Sequence, residues 1–132
     1  MDLQHTLPNF AAYLATAIAL FSLFASLYIR LTPYAEILLI RRGNLSAATA
    51  LVGALLGFAL PLASAIANSV NLRDMLLWGL IAMLVQALVY LGIARLVPEL
   101  KEGIANNTQA HGVLLGGCSL CVGLLNAACM VY

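Results

Sequence analysis

The sequence predicts an all-α membrane protein with four transmembrane helices, arranged as two helical hairpins in parallel repeat. Three observations carry that prediction. The six Lys and Arg and five Asp and Glu residues are confined to short gaps, so Leu3–Ile29, Gly43–Leu72, Met75–Ala94 and Gly103–Tyr132 contain none of them. The chain is 64% hydrophobic and 8% charged with a mean hydropathy of +1.02, outside the range of soluble domains. Each charge-free run also exceeds the ~20 apolar residues that span a bilayer, where a central charge costs about 2.5 kcal/mol or more. With about 80 residues in lipid on this reading, the remainder is too short to fold separately. The chain therefore reads as one integral membrane domain over 1–132, with hairpin repeats over about 10–68 and 75–132. Its net charge of +1 gives no reason to expect a nucleic-acid partner.

The first span is expected at Phe10–Ile29. A cleavable signal peptide needs a positively charged start and a small-residue cleavage site, and Met1-Asp2-Leu3-Gln4-His5 offers neither. The other spans are expected at Leu45–Ala67, Met75–Ala94 and Gly112–Met130. Arg30, Arg41, Arg42, Arg95 and Lys101 follow the first and third spans, whereas the intervening turn holds Arg73 alone. Because Lys and Arg favour the cytoplasm, both termini are expected on the periplasmic side of a plasma membrane. Interfacial aromatics agree, with Tyr13, Trp78 and Tyr132 at the outer surface and Tyr28 and Tyr34 at the inner. Tyr90 fits neither belt.

The first inner connection should contain a short helix. Thr32-Pro33 suits an N-cap and first helical residue, Glu36 places negative charge in the first turn, and Arg41-Arg42 places positive charge in the last before Gly43 stops it. Its apolar residues, Tyr34 and Ile37 to Ile40, predict a helix along the headgroup boundary with its arginines toward anionic lipid. Pro98-Glu99-Leu100-Lys101-Glu102-Gly103 repeats this design.

The correspondence extends along the chain. Arg30-x-x-Pro33 aligns with Arg95-x-x-Pro98, and, after a two-residue slip, Asn44-x-x-Ala47 aligns with Asn107-x-x-Ala110 and Gly53 with Gly116. Both hairpins run outside to inside and back, so their pseudo-twofold axis lies along the membrane normal. Chance likeness of two hydrophobic hairpins is the competing explanation.

Nearly the whole chain resembles the YjfL-type inner-membrane proteins of bacteria. The residues concerned are Thr32-Pro33-x-x-Glu36, Asn44-x-x-Ala47-Ala48, Gly57-x-x-x-Pro61-Leu62, Asn107-Thr108 and Asn126-Ala127-Ala128-Cys129-Met130. The resemblance implies a bacterial plasma membrane, a doubled two-helix unit, and genes near a relative of the phage-shock coat protein A. His111 stands where this alignment has Ala48 in the first copy, so the two inner turns are not strictly equivalent.

Small residues mark the expected helix contacts: Thr49, Gly53, Gly57 and Pro61 on the second span, and Gly112, Gly116, Ser119, Gly123 and Ala127 on the fourth. In lipid, burying Leu beside Leu gains nothing over acyl chains, so helices associate where small residues let backbones approach. A narrow pore or an oligomer seam would use the same faces. Pro61 frees the carbonyl of Gly57, and Ser64 and Asn126 are the expected partners for it. Gln86 and its expected counterpart Ser22 are two further intramembrane polar residues. Each of these four is either an interhelical bond or a pore lining. Cys118-Ser119-Leu120-Cys121 has redox spacing but lies in the inner leaflet with no electron acceptor nearby, so packing is the expected role.

Neither histidine has a carboxylate beside it inside the membrane, so no catalytic centre, metal site or cofactor is expected. Two functions fit. A membrane scaffold or regulatory partner, linked to membrane stress, would use Arg30, Arg41, Arg42 and Lys101 to hold lipid or a peripheral cytoplasmic protein. A homo-oligomeric channel or carrier subunit would pass a small solute past Gln86, Asn126 and Pro61.

Overall fold

A computed structural model describes residues 3–130, which form six helices: α1 (Leu3–Leu31), α2 (Glu36–Arg41), α3 (Leu45–Asn68), α4 (Leu72–Leu96), α5 (Leu100–Ala105) and α6 (Gln109–Cys129). Four apolar stretches within them are long enough to cross a bilayer: Thr6–Leu31, Leu45–Asn68, Leu72–Leu96 and Gln109–Cys129. These match the expected spans to within a few residues at each end. Tyr132, assigned above to the outer aromatic belt, lies outside the described residues.

Local chemistry sets the helix ends. Asn44 and Asn71 cap α3 and α4, their side chains accepting from the backbone N–H of Ala47 and Asp74 at 2.9 Å each. The short helices end in left-handed residues, Gly43 at φ 84° after α2 and Asn107 at φ 60° after α5. Pro61 sits inside α3 without ending it. The start of α2 differs from expectation. Thr32 is not its cap; α2 begins at Glu36, and the Thr32 hydroxyl turns to the Ile29 carbonyl and the Glu36 carboxyl.

Helix α3 touches each of the other three long helices. Its closest partner is α6, and glycine is the reason. A Cβ on Gly53 would collide with the backbone of Gly116, one on Gly57 with Ser119, one on Gly112 with Ser46, one on Gly116 with Thr49, and one on Gly123 with Gly57. The two backbones are therefore in direct contact along the expected small-residue faces. Helix α1 packs differently, through aromatic rings. Phe24 stacks on Phe58 of α3 at 4.6 Å between centroids, and Tyr28 meets Tyr90 of α4 edge-on at 5.8 Å. Tyr28 and Tyr34 are consequently buried core residues, and the inner belt assigned to them above is not formed by these side chains. Tyr90, which fitted neither belt, is buried against Tyr28.

The connections that hold α2 and α5 share a pattern of backbone hydrogen bonds. Leu39, Arg42, Gly43 and Asn44 donate to Ala35, Leu38, Ile40 and Leu39; Gly103, Asn106, Asn107 and Thr108 donate to Glu99, Glu102, Ile104 and Gly103 in the same order. This equates Asn44 with Thr108 and Gly43 with Asn107. The register is one residue later than the alignment of Asn44 with Asn107, because the N-cap position of α6 is Thr108. In this register Leu39 corresponds to Gly103 and Ala47 to His111. Large and small have exchanged places: a Cβ on Gly103 would overlap the His111 ring, so the glycine makes room for the histidine.

Bulk added to the seam should unfold it. Gly53→Val and Gly123→Val are expected to lose at least the 1–3 kcal/mol typical of overpacking, read as loss of folded protein in detergent denaturation. Gly117→Ala, where a Cβ meets nothing within 4 Å, should stay within about 0.5 kcal/mol of wild type.

Candidate functional site

The polar residues of the membrane interior converge on the α3–α6 seam. Pro61 has no N–H, so the Gly57 carbonyl one turn earlier lacks its helical donor. Gln86 of α4 fills that role. Its side chain is fully buried, and Nε2 donates to the Gly57 carbonyl and to the Ser119 carbonyl of α6, each at 3.1 Å. One amide thus joins three helices where two backbones meet. This corrects the expectation for Gly57. Ser64 donates instead to the Ala127 carbonyl at 3.2 Å, joining the C-terminal part of α3 to that of α6, and Asn126 makes no hydrogen bond to Gly57. Ser22 is exposed on α1 and is not the counterpart of Gln86. Within the register of the long helices set by Arg30 and Arg95, that position belongs to Phe21, whose ring faces Phe58 at 6.3 Å.

A second polar cluster closes the seam at the N-terminal ends of α3 and α6. While Asn44 Oδ1 caps α3, Asn44 Nδ2 donates to the Ile104 carbonyl at 2.7 Å, satisfying the end of α5. In return the Ser46 N–H donates to Asn107 Oδ1 at 3.1 Å and the Ser46 hydroxyl to the Thr108 carbonyl at 2.8 Å. The first hairpin is locked to the second through groups that each helix terminus leaves free. Asn44 and Asn107 were legible as motif residues; their bonding to each other's turns was not.

Arg30, Arg41, Arg42 and Lys101 are all exposed, on segments that lie at this same end of the bundle. Cys118 is half-buried, Cys121 exposed and Cys129 exposed, and all three are free thiols. Among the described residues no three His, Cys, Asp or Glu side chains gather as metal ligands.

Sequence reasoning missed one residue. Glu36, expected only as negative charge in the first turn of α2, is 1% exposed and accepts from the Thr32 hydroxyl, with its Oε2 buried and unpartnered. Burial pushes its carboxyl up to about 7, against the opposing effect of the Thr32 hydrogen bond. The adjoining Tyr34 hydroxyl is likewise raised, by burial first and by Glu36 second. The only available signal was Glu36 at helical spacing from Thr32, which also fits a capping turn.

Four apolar helices, a glycine seam and interior polar groups spent on interhelical bonds define a small polytopic membrane protein. The chain belongs to the family described as Domain of Unknown Function (DUF350), whose model matches residues 2–130. It is 38% identical to the UPF0719 inner membrane protein YjfL of Escherichia coli K12 over 132 residues, all of both chains, and to the protein of the same description from Escherichia coli O157:H7 to the same extent. The YjfL-type resemblance is therefore borne out, and the chain is an inner-membrane protein with four membrane-spanning helices. No solved structure matches it.

Gln86→Leu should destabilise the protein by about 1–3 kcal/mol, since it removes two hydrogen bonds and leaves the Gly57 carbonyl with no donor in a dry seam. Asn126→Leu, which breaks no bond to Gly57, should lose less. Equilibrium unfolding in mixed micelles compares the two.

Proposed function

We propose that this protein is a non-enzymatic membrane scaffold, which presents an arginine-rich rim to anionic lipid headgroups and to a peripheral cytoplasmic partner. The observation that carries this reading is the division of its polar groups. Inside the membrane, Gln86 and Ser64 are bonded to backbone carbonyls in a seam whose glycines leave no space between α3 and α6. At one end, Arg30, Arg41, Arg42 and Lys101 are exposed beside exposed apolar residues of α2, Ile37 and Leu38. A short helix with apolar side chains and terminal arginines suits the headgroup boundary, where each cation near an anionic surface contributes about 1 kcal/mol. On this reading that end faces the cytoplasm and both termini face the periplasm.

A second reading draws on a specific observation. Gln86 Oε1, Ser119 Oγ and Asn126 Nδ2 are buried without partners, and a homo-oligomer in which several copies repack could use them to line a path for a small solute or ion. The scaffold is favoured because these atoms lie on residues packed between helices of one chain, so a path would require the seam to open.

Flux and lipid binding together decide between them. In liposomes the scaffold predicts no solute or ion flux for wild type, and flux reduced by both Gln86→Leu and Asn126→Leu, with folding and oligomer size matched, would establish the channel instead. Arg41→Gln with Arg42→Gln should weaken binding of anionic lipid by about 30-fold, the equivalent of about 2 kcal/mol, with the deficit shrinking at high salt. Native mass spectrometry of the protein extracted with its lipids measures this.

A further inference from the structure

Glu36 is the one buried carboxyl of the described residues that neither the seam nor the basic rim uses. It is the first residue of α2, a helix that packs on α3, and its carboxyl meets Thr32 at the end of α1. The groups facing it are Thr32 and Tyr28 of the α1 side, Tyr34 of the connection, and Tyr90 of α4. The tyrosines of this set are uncharged acids, and no Lys, Arg or His pairs with the carboxyl among the described residues. The cations of α2, Arg41 and Arg42, are exposed at its opposite end, and Lys101 of α5 shares a neighbouring cleft with Tyr90 rather than meeting Glu36.

Counting protons identifies which form of the carboxyl this pocket suits. The Thr32 hydroxyl has one hydrogen but two oxygens within reach, the Ile29 carbonyl at 3.1 Å and Glu36 Oε1. If the carboxyl is ionised, that hydrogen serves one of them and the other goes without a donor. If it is protonated, Thr32 donates to Ile29 and accepts from the Glu36 O–H, and both contacts are satisfied. Oε2 points the same way. An ionised oxygen that is buried and unpartnered loses its hydration with nothing in exchange, whereas the carbonyl oxygen of a neutral acid loses far less.

We propose that Glu36, Thr32 and the surrounding tyrosines form a proton-binding site, and that holding the proton is what keeps the first turn of α2 docked on the bundle. One proton, drawn from the water at the arginine-rich end, converts the carboxylate to the acid, and its release returns it there. Loss of the proton leaves a bare charge in an apolar pocket, and the carboxylate regains its hydration by turning outward with α2, carrying Arg41 and Arg42 with it. The site gives that end of the protein a means of responding to pH, independently of whether the rim binds lipid or protein.

The pH dependence has a definite sign. The folded carboxyl titrates at about 7 against an ordinary value of 4.5, so between these the native state binds more protons than the unfolded one, and stability falls as pH rises through this window. Below the window the docked form keeps its full stability; above it the penalty is constant.

The test is a titration of the full chain in lipid, from about pH 5 to about pH 9, by infrared difference spectroscopy with carboxyl-labelled glutamate. The expected result is one carboxylic-acid band that disappears near neutrality and is missing from Glu36→Gln. Hydrogen exchange should show α2 amides losing protection over the same interval in wild type, after correction for base catalysis, and retaining it in Glu36→Gln. If no carboxylic-acid band persists to near neutrality, the proton site is disproved, and wild type alone suffices for this should the variant not fold. If the band titrates near neutrality while α2 protection does not change, the docking role is disproved.

Discussion

The backbone contact between α3 and α6 is the constraint on which the other features of this bundle depend. Acyl chains are as apolar as Leu, so nothing in the bilayer drives two leucine-rich faces together, and association rests on dispersion between closely fitted surfaces and on hydrogen bonds. Gly53, Gly57, Gly112, Gly116 and Gly123 remove the side chains that would hold the helices apart, to the point that no Cβ fits at any of them. Close approach then makes the rest possible. It brings the Gly57 and Ser119 carbonyls near enough for one glutamine to reach both, and it places the inner ends of α3 and α6 where Asn44 and Asn107 can exchange bonds across the hairpins.

Pro61 and Gln86 form a compensated pair. A proline in a soluble helix can leave its orphaned carbonyl to water, but a transmembrane helix must find a protein donor, and here the donor comes from a third helix. The defect in α3 thereby becomes a tie to α4. It also breaks the likeness of the two hairpins, because the position corresponding to Gln86 on α1 holds Phe21, which packs against an aromatic ring instead. The inner turns show the same divergence on a common plan. Their backbone bonds coincide, while Leu39 with Ala47 in one becomes Gly103 with His111 in the other. Each turn keeps one large and one small residue at these two positions.

The ends of the bundle differ in kind from its middle. The turn between α3 and α4 is brief and closed by Asn71 and Asp74, whereas the opposite end has two short helices, the exposed cations and a buried acid. Helix α2 is six residues long, with the apolar side chains of Ile37 and Leu38 exposed and Glu36 enclosed.

Number, length and order of the spanning helices could be read directly from where charges are absent, since exclusion of charge from hydrocarbon acts residue by residue and needs no knowledge of neighbours. The glycine faces were legible for the same reason, as a property of one helix at a time. What the sequence could not convey was pairing. Gln86 rather than Ser64 or Asn126 reaches Gly57 because donors in a bundle are chosen by the relative rotation and depth of separate helices, and a difference of part of a turn moves a side chain to another face. Similarly, Tyr28, Tyr34 and Glu36 have the composition of a membrane surface, yet the connection between α1 and α2 folds them inward, and only the packing of α1 on α4 decides whether a tyrosine or a carboxyl there meets water or protein.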